Sequence, residues 1–581
     1  MKEPKQVSFL IDLAKEGQEA KRIKEKVPIL VIFGNPPYSV SSENKSEFIE
    51  KLMEDYKEDV RDERNIQPLS DDYIKFIRFA HWKINQAGKG VLGFITNNSY
   101  LSGVIHRGMR RKLLDAFDEI YILNLHGSSR IGERTPEGGR DENVFDIQQG
   151  VSVALYVKLE KSQKKKKVYY ADLWGLRKEK YAYLFENDVI TTRWQELEPV
   201  SPYYFFIPKD FALQAEYEKF WKVTEIFKEW SSGVKTHRDH FVVGFTREEI
   251  KQRMRTFTSN LPYELIRQAL DLKDTRDWKL NTAKEKAKKA DWKDFIRLYA
   301  YRPFDNRYIC YLPDLIDRGC DRWDLMKNFF EENIGLVTTR RMPETFGIPA
   351  FVCNNIGDIH IIGDQNYFFP LYIYETKRDN PKKSLKTFML LFEPMAEYHI
   401  KKPNISPTLI EQLTKALKKS PTPEQIFYYI YAILYSPTYR KRYEEFLKID
   451  FPRIPLPSNR ESFKKLSNLG KELVDLHLLK HPSLDRTEIG FPEGGSNKVE
   501  KVVYDEANQR VFLNKKQYFE GVSKEVWEYR IGSYQVMEKY LKDRKGRKLS
   551  LDEINHYIKV AKAIRLTVEL QEKIDDIYKK Q

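Results

Sequence analysis

The spacing of apolar positions changes along the chain, and each kind of spacing predicts a kind of element. In the first 160 residues, continuous or alternating apolar runs predict strands, and apolar residues three and four apart predict amphipathic helices. In chain order these are a helix over residues 7–26, a buried strand over 29–33, a helix over 73–88, a strand over 91–96, a helix over 107–117 and strands over 120–125 and 151–159. Strands that alternate with helices in this way predict an α/β domain.

The glycines at 88, 90 and 93 formally match the pattern G-x-G-x-x-G of dinucleotide-binding proteins. That motif has to follow a strand and open a helix. Here a predicted helix precedes the glycines and a predicted strand follows them, so a dinucleotide site is not expected. The glycines are instead expected to form a helix C-cap and a tight turn. The helix before them is expected to begin after an N-cap at Asp71 or Asp72.

From Ser231 onward the pattern changes to short aromatic and basic segments followed by helices. Polar turns and extended aromatic stretches are expected over 233–243, 301–308 and 364–370. Thr422 and Gln425 form a capping box that opens an apolar helix over 426–435. A charged helix is expected from about 551 to 578. This second half is therefore expected to be an α+β region.

Composition narrows the class of protein. The chain has 581 residues, 41% of them hydrophobic, and a formal charge of +15, which favours a polyanionic partner but also fits a merely basic protein. No apolar run approaches the length that spans a membrane. The three cysteines lack C-x-x-C spacing, so neither a disulfide framework nor a zinc site is expected. His237 and His240 lie three residues apart, but no other type of ligand clusters with them, so they do not predict a metal site. The cysteine usage fits a reducing cytoplasm.

A rigid polar loop follows the first predicted strand. Gly34 and two prolines end that strand, so the loop lies at the carboxyl edge of the sheet, where open α/β sheets bind ligands. The Asn35 amide oxygen and the Pro36 carbonyl can each accept one hydrogen of an exocyclic amine. Two such bonds pull the amine toward tetrahedral geometry and free its lone pair, while Tyr38 offers a face on which a base can stack. A base in a duplex must be flipped out to reach such a loop.

The octet at residues 31–38 resembles motif IV of the amino-group methyltransferases that use S-adenosylmethionine. The resemblance implies that Asn35, Pro36 and Tyr38 hold and stack the target adenine, that Pro37 shapes the loop, and that the product is N6-methyladenine. Glutamine-N5 methyltransferases use the same motif on a planar amide, so the motif alone leaves the substrate open. A proline-capped strand end with a buried aromatic residue is the structural alternative.

A second aromatic residue, Phe145, belongs to the same interpretation. It follows a loop rich in Gly, Arg and Ser over 127–141 and precedes the strand over 151–159. The resemblance implies that Phe145 lies against the flipped base. An ordinary core phenylalanine at the start of a strand is the alternative.

Segments along most of the chain resemble the C-terminal part of single-chain Type ISP and related Type IIG restriction-modification enzymes. These segments are residues 34–38, 143–150, 236–239, 301–307, 363–370 and 431–455. The resemblance implies a target-recognition, or specificity, region over about 231–581 that binds double-stranded DNA. Arg and Lys can neutralise phosphates, and Arg can bond to base edges. The candidate DNA contacts are Lys235, Thr236, Arg238, Arg302 and Arg307.

The resemblance also implies a cofactor turn that this sequence lacks. In the family, a strand leads to a G-x-G turn upstream of motif IV, but only 34 residues precede Asn35, and Gly17 is their one glycine before Gly34. S-adenosylmethionine is therefore expected to bind mostly to an upstream segment, which is either supplied by a methyltransferase or nuclease-translocase polypeptide or lost by truncation. The cofactor-binding residues of this chain stay unknown.

These expectations divide the chain into four parts. Residues 1–175 are expected to form the C-terminal half of a methyltransferase domain with a partial Rossmann-like sheet, 176–230 a connector, 231–420 a target-recognition domain and 421–581 the helical C-terminal part of the specificity region. The expected function is that of the adenine-specific DNA methyltransferase portion of a restriction-modification enzyme. The alternative function is that of a DNA-binding specificity module without activity of its own.

Overall fold

The computed structural model describes residues 14–19, 22, 27–38, 42–63, 65–130, 133–161, 165–342, 347–375, 400–486 and 488–580. Of the predicted helix over 7–26, residues 14–19 and 22 are described and are helical, and the rest lies outside the described residues. Contacts divide the chain into two compact units, Met1–Asp210 and Phe211–Gln581. Each unit has its own hydrophobic core.

The first unit contains a mixed six-stranded sheet in the order β1-β2-β4-β3-β5-β6. Its elements are β1 (Val31–Gly34), α1 (Glu47–Lys57), α2 (Asp72–Ala87), β2 (Gly90–Asn97), α3 (Ser99–Ser102), α4 (Arg107–Ala116), β3 (Glu119–His126), β4 (Val151–Lys158), β5 (Lys167–Asp172), α5 (Arg177–Glu186) and β6 (Gln195–Leu197). β1 is parallel to β2, and β3 is parallel to β5. β4 lies between β2 and β3 and is antiparallel to both.

Local signals produce α2 as the sequence predicts. The Asp71 side chain accepts a hydrogen bond from the Tyr73 amide at 3.4 Å and caps the N-terminus. Gly88, with φ of 78°, ends the helix in the left-handed conformation, and β2 begins two residues later at Gly90. The predicted helix and the predicted role of these glycines are confirmed.

The first strand differs from the prediction. β1 lies at the edge of the sheet, and Val31 and Phe33 are 62% and 83% exposed, although the apolar run predicts a buried strand. Among the described residues β1 pairs with β2 alone, in the register Val31↔Val91 to Gly34↔Phe94. Val31 and Phe33 lie two residues apart and therefore point to the same face of the sheet, and on that face both side chains of β1 are exposed.

The second unit contains several smaller sheets and a group of helices. Its elements up to the second four-stranded sheet are α6 (Gln214–Tyr217), β7 (Trp221–Lys222), α7 (Val223–Ile226), β8 (Ser231–Ser232), α8 (Asp239–Val242), β9 (Val243–Gly244), α9 (Arg247–Thr258), α10 (Tyr263–Ala269), α11 (Leu280–Lys289), β10 (Ile296–Arg302), β11 (Asp305–Cys310), α12 (Trp323–Met326), β12 (Gly335–Thr339), β13 (Ala350–Cys353), β14 (Ile356–Gly357) and β15 (Asn366–Pro370).

The remaining elements are mostly helical. They are β16 (Tyr372–Glu375), β17 (Ile400–Pro403), α13 (Pro407–Leu417), α14 (Pro423–Tyr435), α15 (Pro437–Arg442), α16 (Glu444–Leu447), β18 (Arg453–Ile454), α17 (Arg460–His477), β19 (Val503–Asp505), β20 (Arg510–Phe512), β21 (Tyr518–Glu520), α18 (Lys524–Glu528), β22 (Arg530–Ile531), β23 (Tyr534–Gln535), α19 (Val536–Lys542) and α20 (Leu551–Tyr578).

The second unit contains two four-stranded sheets, β14-β10-β11-β9 and β13-β12-β15-β8. α14, α17 and α20 pack against one another. The capping box at Thr422 is present, and the predicted helix over 551–578 is confirmed. Within the described ranges, every helix is too short or too polar to cross a lipid bilayer.

Candidate functional site

The Asn35 loop lies where the parallel strands β1 and β2 end. Asn35 and Pro37 are exposed, Pro36 is buried and Tyr38 is half-buried. The Tyr38 hydroxyl donates to Asn35 Oδ1 at 3.2 Å and lies 3.5 Å from the carbonyl oxygen of Ile95 in β2. Burial raises the pKa of Tyr38 to about 12, so this hydroxyl is a protonated donor at neutral pH.

Tyr38 and Phe145 meet at one small apolar cluster. The cluster consists of Leu123, Leu125, Val144 and Val151, and both aromatic side chains pack against it while remaining partly exposed. Tyr38 also meets the Tyr73 ring edge-on, with centroids 6.2 Å apart. The two aromatic residues that the sequence assigns to base binding therefore share one support, although 107 positions separate them along the chain.

Helix α5 contributes three residues that sequence reasoning missed. Arg177, Lys180 and Tyr181 donate hydrogen bonds to backbone carbonyls of the loop that carries Phe145. This helix falls inside the predicted connector over 176–230. One sequence signal does mark its start, because Glu179 at the third helical position accepts a hydrogen bond from the Leu176 amide at 2.9 Å.

A charged cluster closes the carboxyl end of β3. His126 Nδ1 lies 2.8 Å from Glu133 Oε1, and Nε2 lies 2.7 Å from Asp172 Oδ1. The ring stacks on Trp174 with centroids 3.3 Å apart. Burial alone would lower the pKa of His126, but the bonds to Asp172 and Glu133 outweigh it and raise the pKa. Sequence reasoning missed this cluster, because Asp172 lies 46 residues from His126 and no local pattern joins them.

Two glycines allow the Phe145 loop, residues 142–150, to approach the sheet closely. Gly127 has a φ of +86°, and a Cβ there would lie 2.4 Å from the Cα of Asn143. A Cβ on Gly150 would lie 2.6 Å from Nδ2 of Asn98, at the end of β2. Larger residues at either position would push the loop away from the ends of β2 and β3.

Two of the candidate DNA-contacting arginines lie on the β10–β11 hairpin. Arg302 Nη1 lies 2.9 Å from Asp358 Oδ1, and Arg307 Nη2 lies 2.8 Å from Asp305 Oδ2 and 2.9 Å from Asp543 Oδ2. Both arginine side chains are largely buried. In this structure their guanidinium groups are therefore engaged with carboxylates of the second unit.

The other candidates lie between β8 and α8. Lys235 is exposed and forms no ion pair with any described residue. Thr236 is buried and its hydroxyl bonds to Asp239. Arg238 is buried, with Nη2 2.7 Å from Asp317 Oδ1. The structure thus brings an exposed lysine and a buried ion pair into one short segment.

The described residues ahead of β1 contain one glycine, Gly17, and no glycine-rich turn. In the part of the chain that the structure describes, no His, Cys, Asp and Glu side chains gather in a group that could hold a metal ion.

Two family models match the chain. Residues 5–131 match the model of the Eco57I restriction-modification methylase. Residues 225–573 match the model of the Type ISP C-terminal specificity domain. Together the two matches define the class of protein, in which a restriction-modification methylase part is followed by a specificity domain. The chain belongs to the family of the Type ISP C-terminal specificity domain, whose model covers more than half of it.

Three solved structures share the fold over 96% of this chain. The ATP-dependent Type ISP restriction-modification enzyme LlaBIII bound to DNA is 22% identical, with a TM-score of 0.73, and 38% of its chain is covered. A nuclease-deletion mutant of the Type ISP enzyme LlaGI in complex with a DNA substrate mimic is 21% identical, with a TM-score of 0.70 and 54% covered. The DrdV–DNA complex is 21% identical, with a TM-score of 0.72 and 58% covered.

The chain thus spans between 38% and 58% of the length of these three proteins. At such identities the likeness concerns the fold. A comparison with curated proteins gives no match.

Proposed function

We propose that the chain is the adenine-specific DNA methyltransferase and specificity portion of a restriction-modification enzyme. It acts on N6 of an adenine flipped out of double-stranded DNA, with S-adenosylmethionine as the methyl donor. One observation carries this proposal. Asn35, Pro36 and Tyr38 lie together at the carboxyl end of β1, and Tyr38 shares an apolar cluster with Phe145.

The loop residues act by hydrogen bonding and stacking. The target amine takes the place of the Tyr38 hydroxyl at Asn35 Oδ1 and donates its second hydrogen to the Pro36 carbonyl. Pro36 and Pro37 each have a locked φ, so this carbonyl keeps its direction. Tyr38 and Phe145 stack on the base. As N6 gains the methyl group, the S–CH3 bond of the sulfonium donor breaks and the donor leaves as a neutral thioether. Because N6 is then cationic, its proton is acidic and passes to water without a strong base on the protein.

S-adenosylmethionine supplies the methyl group, and we propose that an upstream segment binds most of it. Two observations support this division. The described residues include no glycine-rich turn before Asn35, and the edge of β1 presents Val31 and Phe33 to solvent. An exposed apolar edge strand favours pairing with a further strand. A methyltransferase or nuclease-translocase polypeptide that carries this segment is the proposed partner, in the cytoplasm.

The second unit is proposed to recognise the DNA sequence. The whole chain has a formal charge of +15, which favours a polyanionic partner, and the related structures contain DNA. Lys235 is exposed and is the first candidate for a DNA contact. Thr236, Arg238, Arg302 and Arg307 are the further candidates, and a contact by these arginines requires that their ion pairs open.

Replacement of Asn35 tests the proposed chemistry. In the presence of the upstream polypeptide, Asn35→Ala should lower the rate of methyl transfer by on the order of a hundredfold or more, because an oriented acceptor is lost in the transition state. The rate is measured with labelled S-adenosylmethionine and plasmid DNA from a host without adenine methylation, and DNA affinity should stay unchanged. Asn85→Ala, an exposed change in α2, is the matched control. Wild-type rates in Asn35→Ala would contradict the assignment.

A DNA-binding specificity module without activity of its own is the second candidate. The described residues ahead of β1 include no glycine-rich turn, and the edge of β1 is open, which favours this module for the chain alone. The same assay separates the two functions. Selective DNA binding without methyl transfer, even with the upstream polypeptide present, would support the module.

A further inference from the structure

Four consecutive backbone carbonyls, those of residues 142–145, all accept hydrogen bonds from side chains of α5. Lys180 Nζ donates to the first at 2.7 Å, and Arg177 Nε donates to the second at 2.6 Å. The Tyr181 hydroxyl donates to the third at 2.5 Å, and Arg177 Nη2 donates to the fourth at 2.9 Å. This segment is neither helix nor strand, so the side chains of one helix satisfy acceptors that secondary structure would otherwise satisfy.

Lys180 also connects the loop to the sheet. It is fully buried, and its Nζ donates to the carbonyl of Leu125 in β3 at 2.8 Å and lies 2.7 Å from Asp141 Oδ1. The Asp141 carboxylate accepts hydrogen bonds from the amides of Gly127 and Gly175 as well. Leu125 belongs to the apolar cluster on which Tyr38 packs. One buried ammonium group therefore joins the Phe145 loop, the start of α5 and the strand behind Tyr38.

Side chains within the loop complete its conformation. Asn143 Nδ2 donates to the carbonyls of Gly127 and Gln149 at 3.1 and 2.6 Å, and its Oδ1 accepts from the Phe145 amide at 2.8 Å. These bonds fix the loop internally and to Gly127, which follows β3. The bonds from α5 hold residues 142–145 against that helix, and of the three α5 side chains Lys180 also reaches β3, through the carbonyl of Leu125.

We infer that Arg177, Lys180 and Tyr181 are positioning residues, which hold Phe145 at the apolar cluster shared with Tyr38. The inference rests on the proposed function, in which the flipped base stacks on both aromatic rings. Charge-assisted hydrogen bonds are stronger than neutral ones, so Arg177 and Lys180 suit this task better than neutral residues would. A base displaced by about 1 Å from the reactive geometry loses on the order of a hundredfold in rate.

Two variants test the inference without disturbing the core. Arg177→Met removes two carbonyl bonds and the 2.7 Å ion pair with Asp146, the neighbour of Phe145, and Tyr181→Phe removes one hydroxyl from a ring that is 41% exposed. Lys180 is not replaced, because it is buried and its loss would also impair folding. A lower kcat in such a variant would not distinguish loss of positioning from loss of folding. Lys178→Met and Tyr183→Phe are matched controls in the same helix: Lys178 is exposed, and the Tyr183 hydroxyl bonds to Thr192.

The measurements are kcat and KM for methyl transfer to unmethylated plasmid DNA by the full chain with the upstream polypeptide. Arg177→Met should lower kcat on the order of tenfold or more, and Tyr181→Phe should lower it less, while KM for DNA and Tm stay near those of the wild type. Arg177→Lys should restore part of kcat. Hydrogen exchange over residues 142–150 should rise in Arg177→Met and not in the controls.

The outcomes separate the inference from the function on which it rests. If the wild type transfers methyl groups and both variants keep its kcat, the positioning role is wrong. The same holds if Tm falls in parallel with kcat, since the helix then serves stability alone. If the wild type transfers no methyl group although the upstream polypeptide is present, the proposed function itself is wrong, whatever the hydrogen exchange.

Discussion

The Asn35 amide oxygen already has a hydrogen-bond donor when no base is present. The Tyr38 hydroxyl fills that role at 3.2 Å, and its raised pKa keeps the proton on the oxygen. Entry of an amine therefore exchanges one hydrogen bond for another, and such an exchange costs little free energy. The sequence indicates both residues as base ligands. Their mutual bond requires the three-dimensional loop, because both side chains must turn toward the same point.

His126 makes the stability of the first unit depend on pH. Its pKa is raised, because the bonds to Asp172 and Glu133 outweigh burial, so its stabilising effect is fully present below the ordinary histidine pKa of about 6.5 and is lost as pH rises through the raised value. The pKa of Glu133 is lowered because the bond to His126 outweighs burial, so its contribution is lost as pH falls. The cluster should stabilise the unit most between about pH 4.5 and 6.5.

Denaturant unfolding of the wild type and of His126→Gln across pH 4 to 9 measures this effect. The difference in the free energy of unfolding between the two proteins should be largest near pH 6 and should shrink toward pH 9. The difference isolates His126 from other buried histidines such as His81, whose pKa is lowered to about 3, mainly by burial. A difference that does not change with pH would show that His126 acts through packing on Trp174 alone.

At the scale of elements, local signals suffice for some parts of the fold and fail for others. The N-cap at Asp71, the apolar spacing and Gly88 together predict α2, because each acts within a few residues. The burial of β1 depends on strands elsewhere, so an apolar run cannot reveal that β1 is an edge. α5 shows the same limit, since the partners of Lys180 lie 38 and 55 residues away and leave no local pattern.

The exposed edge of β1 leads to a prediction about assembly. Phe33→Ser should change the stability of the isolated chain by no more than about 0.5 kcal/mol, because Phe33 is already exposed. It should weaken binding of the upstream polypeptide by about 1.5–3 kcal/mol, if Phe33 becomes buried there. Isothermal titration calorimetry, in which the upstream polypeptide is added to the wild-type or the variant chain, measures the change in Kd.

Phe185→Ser is the matched control for this experiment, because Phe185 is 90% exposed but lies at the end of α5, away from β1. It should alter neither stability nor Kd. If Phe33→Ser binds the upstream polypeptide as tightly as the wild type does, the partner attaches elsewhere. A large loss of stability in the isolated chain would instead show that Phe33 supports the first unit itself.

Across the whole molecule, the proposed chemistry and the proposed sequence recognition belong to separate units. A buried ion-pair network holds the β10–β11 hairpin of the second unit. Asp305 lies 2.8 Å from both Arg307 Nη2 and Arg544 Nη2, and these arginines lower its pKa although burial would raise it. Residues 239 positions apart along the chain are joined in this way. The aromatic and basic composition of 301–308 predicted a DNA-facing segment, whereas pairing with distant carboxylates cannot be deduced from composition.

Lys235 and Arg307 should therefore respond differently when replaced by alanine. Arg307→Ala leaves Asp305 with Arg544 and Asp543 with Lys539 as the remaining partner, so unfolding should become easier by about 1.5–3 kcal/mol. Lys235→Ala should leave stability within about 0.5 kcal/mol but lower the slope of log K against log salt by about 1, as loss of one phosphate contact does. Lys515→Ala, also at an exposed residue, serves as the control.

Fluorescence anisotropy with labelled duplexes, measured between about 50 and 300 mM salt, gives the slopes. A flattened slope with intact stability in Arg307→Ala would make Arg307 a phosphate contact, and no change in Lys235→Ala would place the DNA surface of the second unit elsewhere.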